Sequence, residues 1–429
     1  MRVTAVIILF VLPALPVLGN EALDLLEGKE DPLEPLGHVL TPQPDASQPN
    51  GLNWDQDFSW RWLTQLPPLW SYAPEDNRWV QEAALTGLFE WRLESGSIEP
   101  DGTGIPDQDV DSAGARRARL GTVLRAFYNT DLEGEAVFDG DADYHGIGKL
   151  KATVHVTDDV SLAFGKFRPP FALEYTRDAS VRMIPEMSPL AAQIVPANSL
   201  GAMASGVLGD WDWGVGWFSS DSSKNIPGFD GDGYVLAKLG YTFQGTPGGE
   251  AAPEQEGEGA SSTYQRWHLD YIYNMDGGQS ASIPGGYDHL LATGLQVSSG
   301  PFDFLGDFML ANGKQNTVWG MTLQGSYWLL EDAVRAVARY SYADTDDAAG
   351  LRVGWGVPSP TSDTIHPFQY PVVQTGDELH TFFGGLNFHI FGDYVIVQAG
   401  AEYRILKSPV TGLPDVTSWL WQLGGRAAF

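Results

Sequence analysis

The sequence predicts an all-β protein: a transmembrane antiparallel β-barrel of about 16 strands, preceded by an irregular N-terminal segment. Three observations predict it. Polar and apolar residues alternate with a period of two from about Arg78 to the C-terminus. Short and long connections follow one another along that region. After the N-terminal leader there is no apolar run long enough for a spanning helix, so a membrane crossing has to be made by a closed barrel.

The leader comes first. Arg2 supplies a positive charge, residues 4–18 are apolar but interrupted by Pro13 and Pro16, and Gly19-Asn20 fits a cleavage point. This is the pattern of a signal peptide over residues 1–19, and it predicts export. Residues 20–78 are rich in Pro, Asp and Glu, as in Glu30-Asp31-Pro32-Leu33-Glu34-Pro35. They are expected to form an acidic periplasmic or disordered segment. The barrel is expected over residues 79–429. The chain has no Cys, so hydrogen bonding around a closed ring would have to supply the stability that disulfides give other exported proteins. A formal net charge of −30 argues against general nucleic-acid binding, which needs clustered Lys and Arg. It leaves an anion pathway open, because a pore is governed by local charge.

The alternation divides into segments at roughly 80–94, 114–129, 131–139, 146–156, 160–167, 201–209, 211–219, 232–243, 263–274, 287–299, 301–311, 316–330, 333–344, 377–388, 393–404 and 417–429. Most reach the length that crosses a bilayer at a tilt. Short joints such as Asn129-Thr130, Gly209-Asp210 and Ser299-Gly300 alternate with long ones at 95–114, 168–200, 220–231 and 345–376. The joint at 244–262 breaks the rule, being a long acidic Gly/Pro/Glu tract where a short turn is expected. Secreted sandwiches, jelly rolls and propellers also use alternating strands. The even count, the loop asymmetry and the terminal face of Trp419, Trp421, Leu423 and Phe429 favour the barrel.

Three stretches carry a family likeness. They are Ala115-Arg116-Arg117-Ala118-Arg119-Leu120-Gly121, then Leu162-Ala163-Phe164-Gly165-Lys166-Phe167-Arg168-Pro169-Pro170-Phe171, then Gly385-Leu386-Asn387-Phe388-His389-Ile390-Phe391-Gly392-Asp393-Tyr394 with Gln398 and Glu402-Tyr403 after it. Over residues 80–429 the chain resembles the phosphate-selective porin O/P family. The resemblance implies a sixteen-stranded, trimeric barrel in the outer membrane of a Gram-negative type bacterium, with a basic pore for small anions. Phe429 resembles the C-terminal signal read by the barrel-assembly machinery. The family's anion site uses an Arg pair, and Arg116-Arg117 matches it in sequence.

A diffusing anion needs fixed positive charge in a narrow passage. The candidate pore-lining residues are Arg116, Arg117, Arg119, Arg125, Lys149, Lys151, Lys166, Arg168, Arg266, Arg335 and Arg339, with Arg92, Lys238 and Arg426 on inward positions as well. Arg117, Arg119, Lys149 and Lys151 fall on near-neighbour strands and could form one basic wall. Parity puts Arg116 on the outer face, unless it sits above the lipid belt or at a bulge. By the same parity Glu90, Glu94, Asp131, Glu133, Glu135, Asp270, Asp303 and Asp307 point inward, so the cations can instead pair with lumen acids and set the pore width. The loop at 168–200 carries Phe171, Tyr175, Arg177, Arg182, Met183 and Met187 and is expected to fold inward as a constriction, the alternative being an external cap or a trimer contact. The acids Asp101, Asp107, Asp109 and Asp111 read as solvated loop charge. No HExxH or GxSxG motif occurs, and His380 and His389 fall on opposite faces of one strand. No enzyme activity, cofactor or metal is expected. The alternative readings are a non-conducting structural or ligand-binding barrel, and a secreted glycan-binding β protein.

Overall fold

In the computed structural model, sixteen antiparallel strands close into one ring. The structure describes residues 71–72, 77, 79–101, 106–138, 143–176, 182–184, 186–221, 225–228, 232–245, 263–276, 282–314, 316–347, 350–355, 372–408 and 415–429. The expected signal peptide, nearly all of the acidic segment and the 246–262 tract lie outside these residues.

The ring begins with β1 (Val80–Pro100), β2 (Gln108–Ala126), β3 (Thr130–Phe138), β4 (Tyr144–His155) and β5 (Val160–Phe167). It continues with β6 (Ser199–Leu208), β7 (Trp211–Phe218), β8 (Tyr234–Gln244), β9 (Tyr264–Asn274), β10 (His289–Ser299) and β11 (Phe302–Asn312). The last are β12 (Thr317–Leu330), β13 (Val334–Thr345), β14 (Glu378–Phe391), β15 (Val395–Lys407) and β16 (Val416–Ala428). Each strand pairs with the next, and β16 pairs back to β1 with Val416 opposite Pro100 and Ala428 opposite Leu88. A two-residue strand, Ser71–Tyr72, adds to β1 at Ala84 and Ala83. Leu351–Trp355 and Val372–Gly376 make a separate hairpin between β13 and β14.

Successive side chains of a strand point to opposite faces, so alternation in the sequence becomes an inside and an outside. On β1 Phe89, Trp91 and Leu93 are exposed, whereas Glu90, Arg92 and Glu94 are buried. This is the reverse of a soluble protein. Exposed aromatics gather at the two rims. Trp79, Phe127, Trp211, Phe243 and Tyr327 lie toward the short-turn end, and Trp217, Tyr273, Trp319 and Trp419 toward the loop end. Leu120, Leu150, Phe164, Leu295 and Leu323 lie exposed between them. An apolar band between aromatic girdles is the exterior that a hydrocarbon layer requires.

The strand count agrees with the sequence reading, but boundaries differ. Residues 95–114, read as a long loop, are mostly strand: β1 runs to Pro100 and β2 starts at Gln108, which places Asp109 and Asp111 on β2. Charged residues at strand ends, beyond an apolar belt, leave no periodic signal to mark where pairing stops. The first short turn spans Phe127 to Asn129, with positive φ at Phe127 and Tyr128, so it overlaps the expected Asn129-Thr130 joint and starts two residues earlier. Gly209 and Gly300 take the left-handed conformation at two further turns, where a two-residue connection demands it. Phe429 completes the closure. Its N–H donates to the Gly87 carbonyl at 3.0 Å and its carbonyl accepts from the Gly87 N–H at 2.9 Å. A Cβ at Gly87 would lie 2.2 Å from the tip of the Phe429 ring, so any other residue there would make the ring turn aside.

Candidate functional site

The joint between β5 and β6 folds into the ring, as its length suggests. It carries two short helices, α1 (Leu173–Thr176) and α2 (Pro189–Ile194). Ser188 caps α2 by accepting from the Ala191 N–H, with Pro189 at the first helical position, where its missing N–H costs nothing. Phe171, Tyr175, Leu190 and Ile194 are buried against the inward Leu236, Ile272, Met309 and Ala343. Removing four large apolar side chains from water at about 1.5–3 kcal/mol each is ample reason for the loop to turn inward.

Polar bonds then fix it to strands around the ring. Ala172 N–H donates to Asp270 on β9 (2.9 Å) and Glu174 N–H to Asp307 on β11 (3.1 Å). His268 lies between those two acids, at 2.8 and 3.0 Å. Farther along, the Met183 carbonyl accepts from Asn387 on β14 and Gln398 on β15 at 2.8 and 3.0 Å. The Arg182 carbonyl accepts from Arg426 at 2.7 Å, and the Glu186 carbonyl from Arg339 at 2.5 Å.

The Glu186 side chain reaches the arginines of β1 and β2. Arg116 grips it with two donors, Nε to Oε1 at 2.6 Å and Nη2 to Oε2 at 2.9 Å, and Arg92 Nη1 adds a third at 2.5 Å. Burial by itself would raise the Glu186 carboxyl, but Arg116 and Arg92 outweigh it and hold the group well below the usual carboxylate range. Arg116 reaches the interior because of a bulge. Glu90 pairs with Arg117 and Trp91 with Ala115, which leaves Arg116 as the extra residue of β2. Strict parity assigned it outward, whereas the bulge turns Arg116 and Arg117 inward together, at 1% and 0% exposure.

The other predicted residues separate into groups. Arg117 pairs with Glu90, and Arg339 meets Glu402 at 3.3 Å and Glu174 at 3.5 Å, so both belong to the buried cluster with Arg92 and Arg116. Arg119, Lys149 and Lys151 face the lumen, but β3 runs between β2 and β4 and places Glu133 and Glu135 among them. Lys149 and Lys151 both bind Glu133, at 2.9 and 3.0 Å, and Arg119 lies 3.7 Å from Glu135. The expected basic wall is therefore an interleaved one. Arg125 binds Asp131 at 2.8 Å near the short turns. Arg266 holds Asp212 through two bonds of 3.0 and 2.5 Å on the far side of the ring. Arg335 pairs with Asp303 and lies 4.8 Å from the Trp328 ring. Lys166 donates to the Asn225 carbonyl at 2.9 Å, and Arg168 to that of Tyr175 at 3.2 Å.

Sequence reasoning missed Glu174, Glu186 and Arg404. Glu174 accepts from the Ser188 N–H and hydroxyl and so joins the two halves of the loop. Arg404 pairs with Glu402 and donates to the Gly354 carbonyl of the small hairpin at 2.5 Å. A loop acid has no strand parity to reveal its direction. The available signal for Glu186 was the loop's inward path toward an Arg pair in need of negative charge.

No protein-family model and no curated protein matches the sequence. Solved structures do match in fold. OprB of Pseudomonas putida superposes with a TM-score of 0.52 at 11% identity, over 80% of this chain and 94% of that one. An anion-selective porin from Comamonas acidovorans gives 0.51 at 11% identity, over 81% and 99%. The chain has the fold of an outer-membrane porin.

Proposed function

We propose that the protein is an outer-membrane channel through which small hydrophilic solutes diffuse passively, with a preference for anions such as phosphate. The observation that carries this reading is the cluster of Arg92, Arg116, Arg117 and Arg339, aimed into the ring where the inward loop narrows it. Guanidinium groups offer paired donors in a fixed plane, suited to the oxygens of phosphate or carboxylate. In a narrow, partly dry passage such charge selects an anion and still releases it if several groups share it. The apolar girdled exterior fits the bilayer, and the similar fold of an anion-selective porin accords with the same reading. Export through residues 1–19, assembly through Phe429, trimer formation and the absence of a catalytic step belong to this proposal.

The test is single-channel recording of the refolded protein in a planar bilayer, under a KCl gradient with added phosphate. The expected reversal potential lies on the anion side, and phosphate block is relieved in Arg117→Ala and, to a smaller degree, in Lys151→Ala. A cation-side potential without block would mean that the lumen acids set selectivity. One observation favours a second reading. The loop reaches strands on both sides of the ring and buries the arginines, as a non-conducting structural or ligand-binding barrel would require. Absence of conductance from a heat-modifiable, folded barrel would select it.

A further inference from the structure

Glu186 stands apart from the other acids of the lumen. Glu90, Glu94 and Glu402 belong to wall strands, so acid and arginine are both fixed in the wall, even where Glu402 reaches past β14 to Arg339. Glu186 belongs to the loop, and its carboxylate meets guanidinium groups of two strands. The pairing with Arg116 is two-pronged, with both carboxylate oxygens engaged by two nitrogens of one guanidinium, the geometry by which arginine binds a free oxyanion. The main chain around it is held separately, by Arg339 on the Glu186 carbonyl and by Asn387 and Gln398 on that of Met183. The side chain can therefore leave the arginines while the loop stays in place.

We propose that the Glu186 carboxylate is an internal stand-in for the transported oxyanion, filling the Arg92–Arg116 cradle at rest and giving way to a solute anion. This rests on the anion-channel reading above and specifies how that site is regulated. A tethered carboxylate competes at high effective concentration. A solute then sees only the fraction of cradles that are vacant, and its apparent affinity falls by that fraction. The consequence suits a diffusion channel. A cradle of buried arginines without an internal competitor would hold a phosphate or carboxylate too long, whereas exchange against Glu186 speeds release at the cost of affinity. The ligand class follows from the stand-in: a small anion that presents two oxygens in one plane, as carboxylates and phosphate both do.

The experiment compares inorganic phosphate block of the KCl current in wild type, Glu186→Gln and Arg116→Gln. Glu378→Gln, an acid bound to Lys407 at the strand end, controls for loss of a charge. In Glu186→Gln the half-blocking phosphate concentration should fall about tenfold, within the usual range of coupling between competing sites, and the reversal potential should move toward the anion side. Arg116→Gln should abolish block. If Glu186→Gln blocks like wild type while Arg116→Gln relieves block, the anion-channel reading stands and the stand-in is wrong. If neither wild type nor Glu186→Gln passes anions, the reading itself fails and takes the stand-in with it. Should Glu186→Gln give no heat-modifiable band, wild type decides through carbodiimide labelling of Glu186, followed by mass spectrometry with and without sulfate. Labelling should rise at least severalfold with sulfate, and unchanged labelling overturns the proposal.

Discussion

The inward loop meets two walls of the ring, and it meets them with opposite chemistry. Toward β9 and β11 it offers backbone N–H groups, of Ala172 and Glu174, to the carboxylates of Asp270 and Asp307. Toward β1 and β2, half a ring away, it offers the carboxylate of Glu186 to Arg116 and Arg92. The loop thus meets a pair of carboxylates at one attachment and a pair of guanidinium groups at the other, with its own donors and acceptor turned to match. The two attachments should differ in strength. A carboxylate on paired guanidiniums has charge on both partners, whereas an amide on a carboxylate has it on one. The apolar wedge of Phe171, Tyr175 and Leu190 also supports the acidic side, so that attachment depends less on any single polar bond.

The largest effect should come from breaking the basic side. Arg116→Ala leaves Glu186 buried with half of its partners, and removal of one partner of a buried pair costs about 3 kcal/mol or more. Urea unfolding of the refolded barrel in lipid vesicles, followed by tryptophan fluorescence, measures it. A loss under about 1 kcal/mol would mean that the cradle is not a structural attachment. Asp307→Asn on the acidic side keeps an acceptor for the Glu174 N–H and gives up the charge facing His268. Its cost should be smaller, about 2 kcal/mol, as for a hydrogen bond to a charged group. Equal losses for the two variants would erase the distinction between the walls. Lys151→Ala should be smaller again. Its bond to Glu133 is partly open to solvent, and such pairs contribute about 0.5 kcal/mol. Its effect belongs in the reversal potential, which should move toward the cation side with little change in unfolding.

Much of this was legible in the sequence, for a physical reason. The side-chain period of a strand is fixed by covalent geometry, so Glu90, Arg92 and Glu94 on one face of β1 could be assigned without coordinates. Closure, the strand count and the inward turn of the 168–198 joint follow from alternation, even number and loop length. Arg116 was legible only in part. Two adjacent arginines cannot both face inward on a regular strand, and a bulge is the one local change that reconciles them, but no residue type announces where the extra residue falls. The interleaving of Glu133 and Glu135 between Arg119 and Lys149 was legible as one of two readings, since parity turns acids and cations inward alike and only strand order, with β3 between β2 and β4, decides for pairing over a basic wall. Glu186 was the least legible, because its direction is set by apolar packing of its loop neighbours Phe171, Leu190 and Ile194 on Leu236, Ile272, Met309 and Ala343, which are far from it in the chain.

The smallest predicted effect is also the sharpest test of the basic wall. A carboxyl whose folded value lies below its unfolded one contributes stability that is fully present above the unfolded value, about 4.3 for Glu, and is lost as pH falls through the folded value. Glu186 is such a group, since its arginines outweigh its burial. The difference in unfolding free energy between wild type and Glu186→Gln should therefore change by less than about 0.3 kcal/mol from pH 8 to pH 5 and shrink only at more acidic pH. Taking the difference between the two proteins removes every pH effect common to both. If the difference had already collapsed by pH 5, the Glu186 carboxyl would be titrating at or above its ordinary value. Burial would then dominate the arginines, and the loop would meet its basic wall through apolar contact rather than charge.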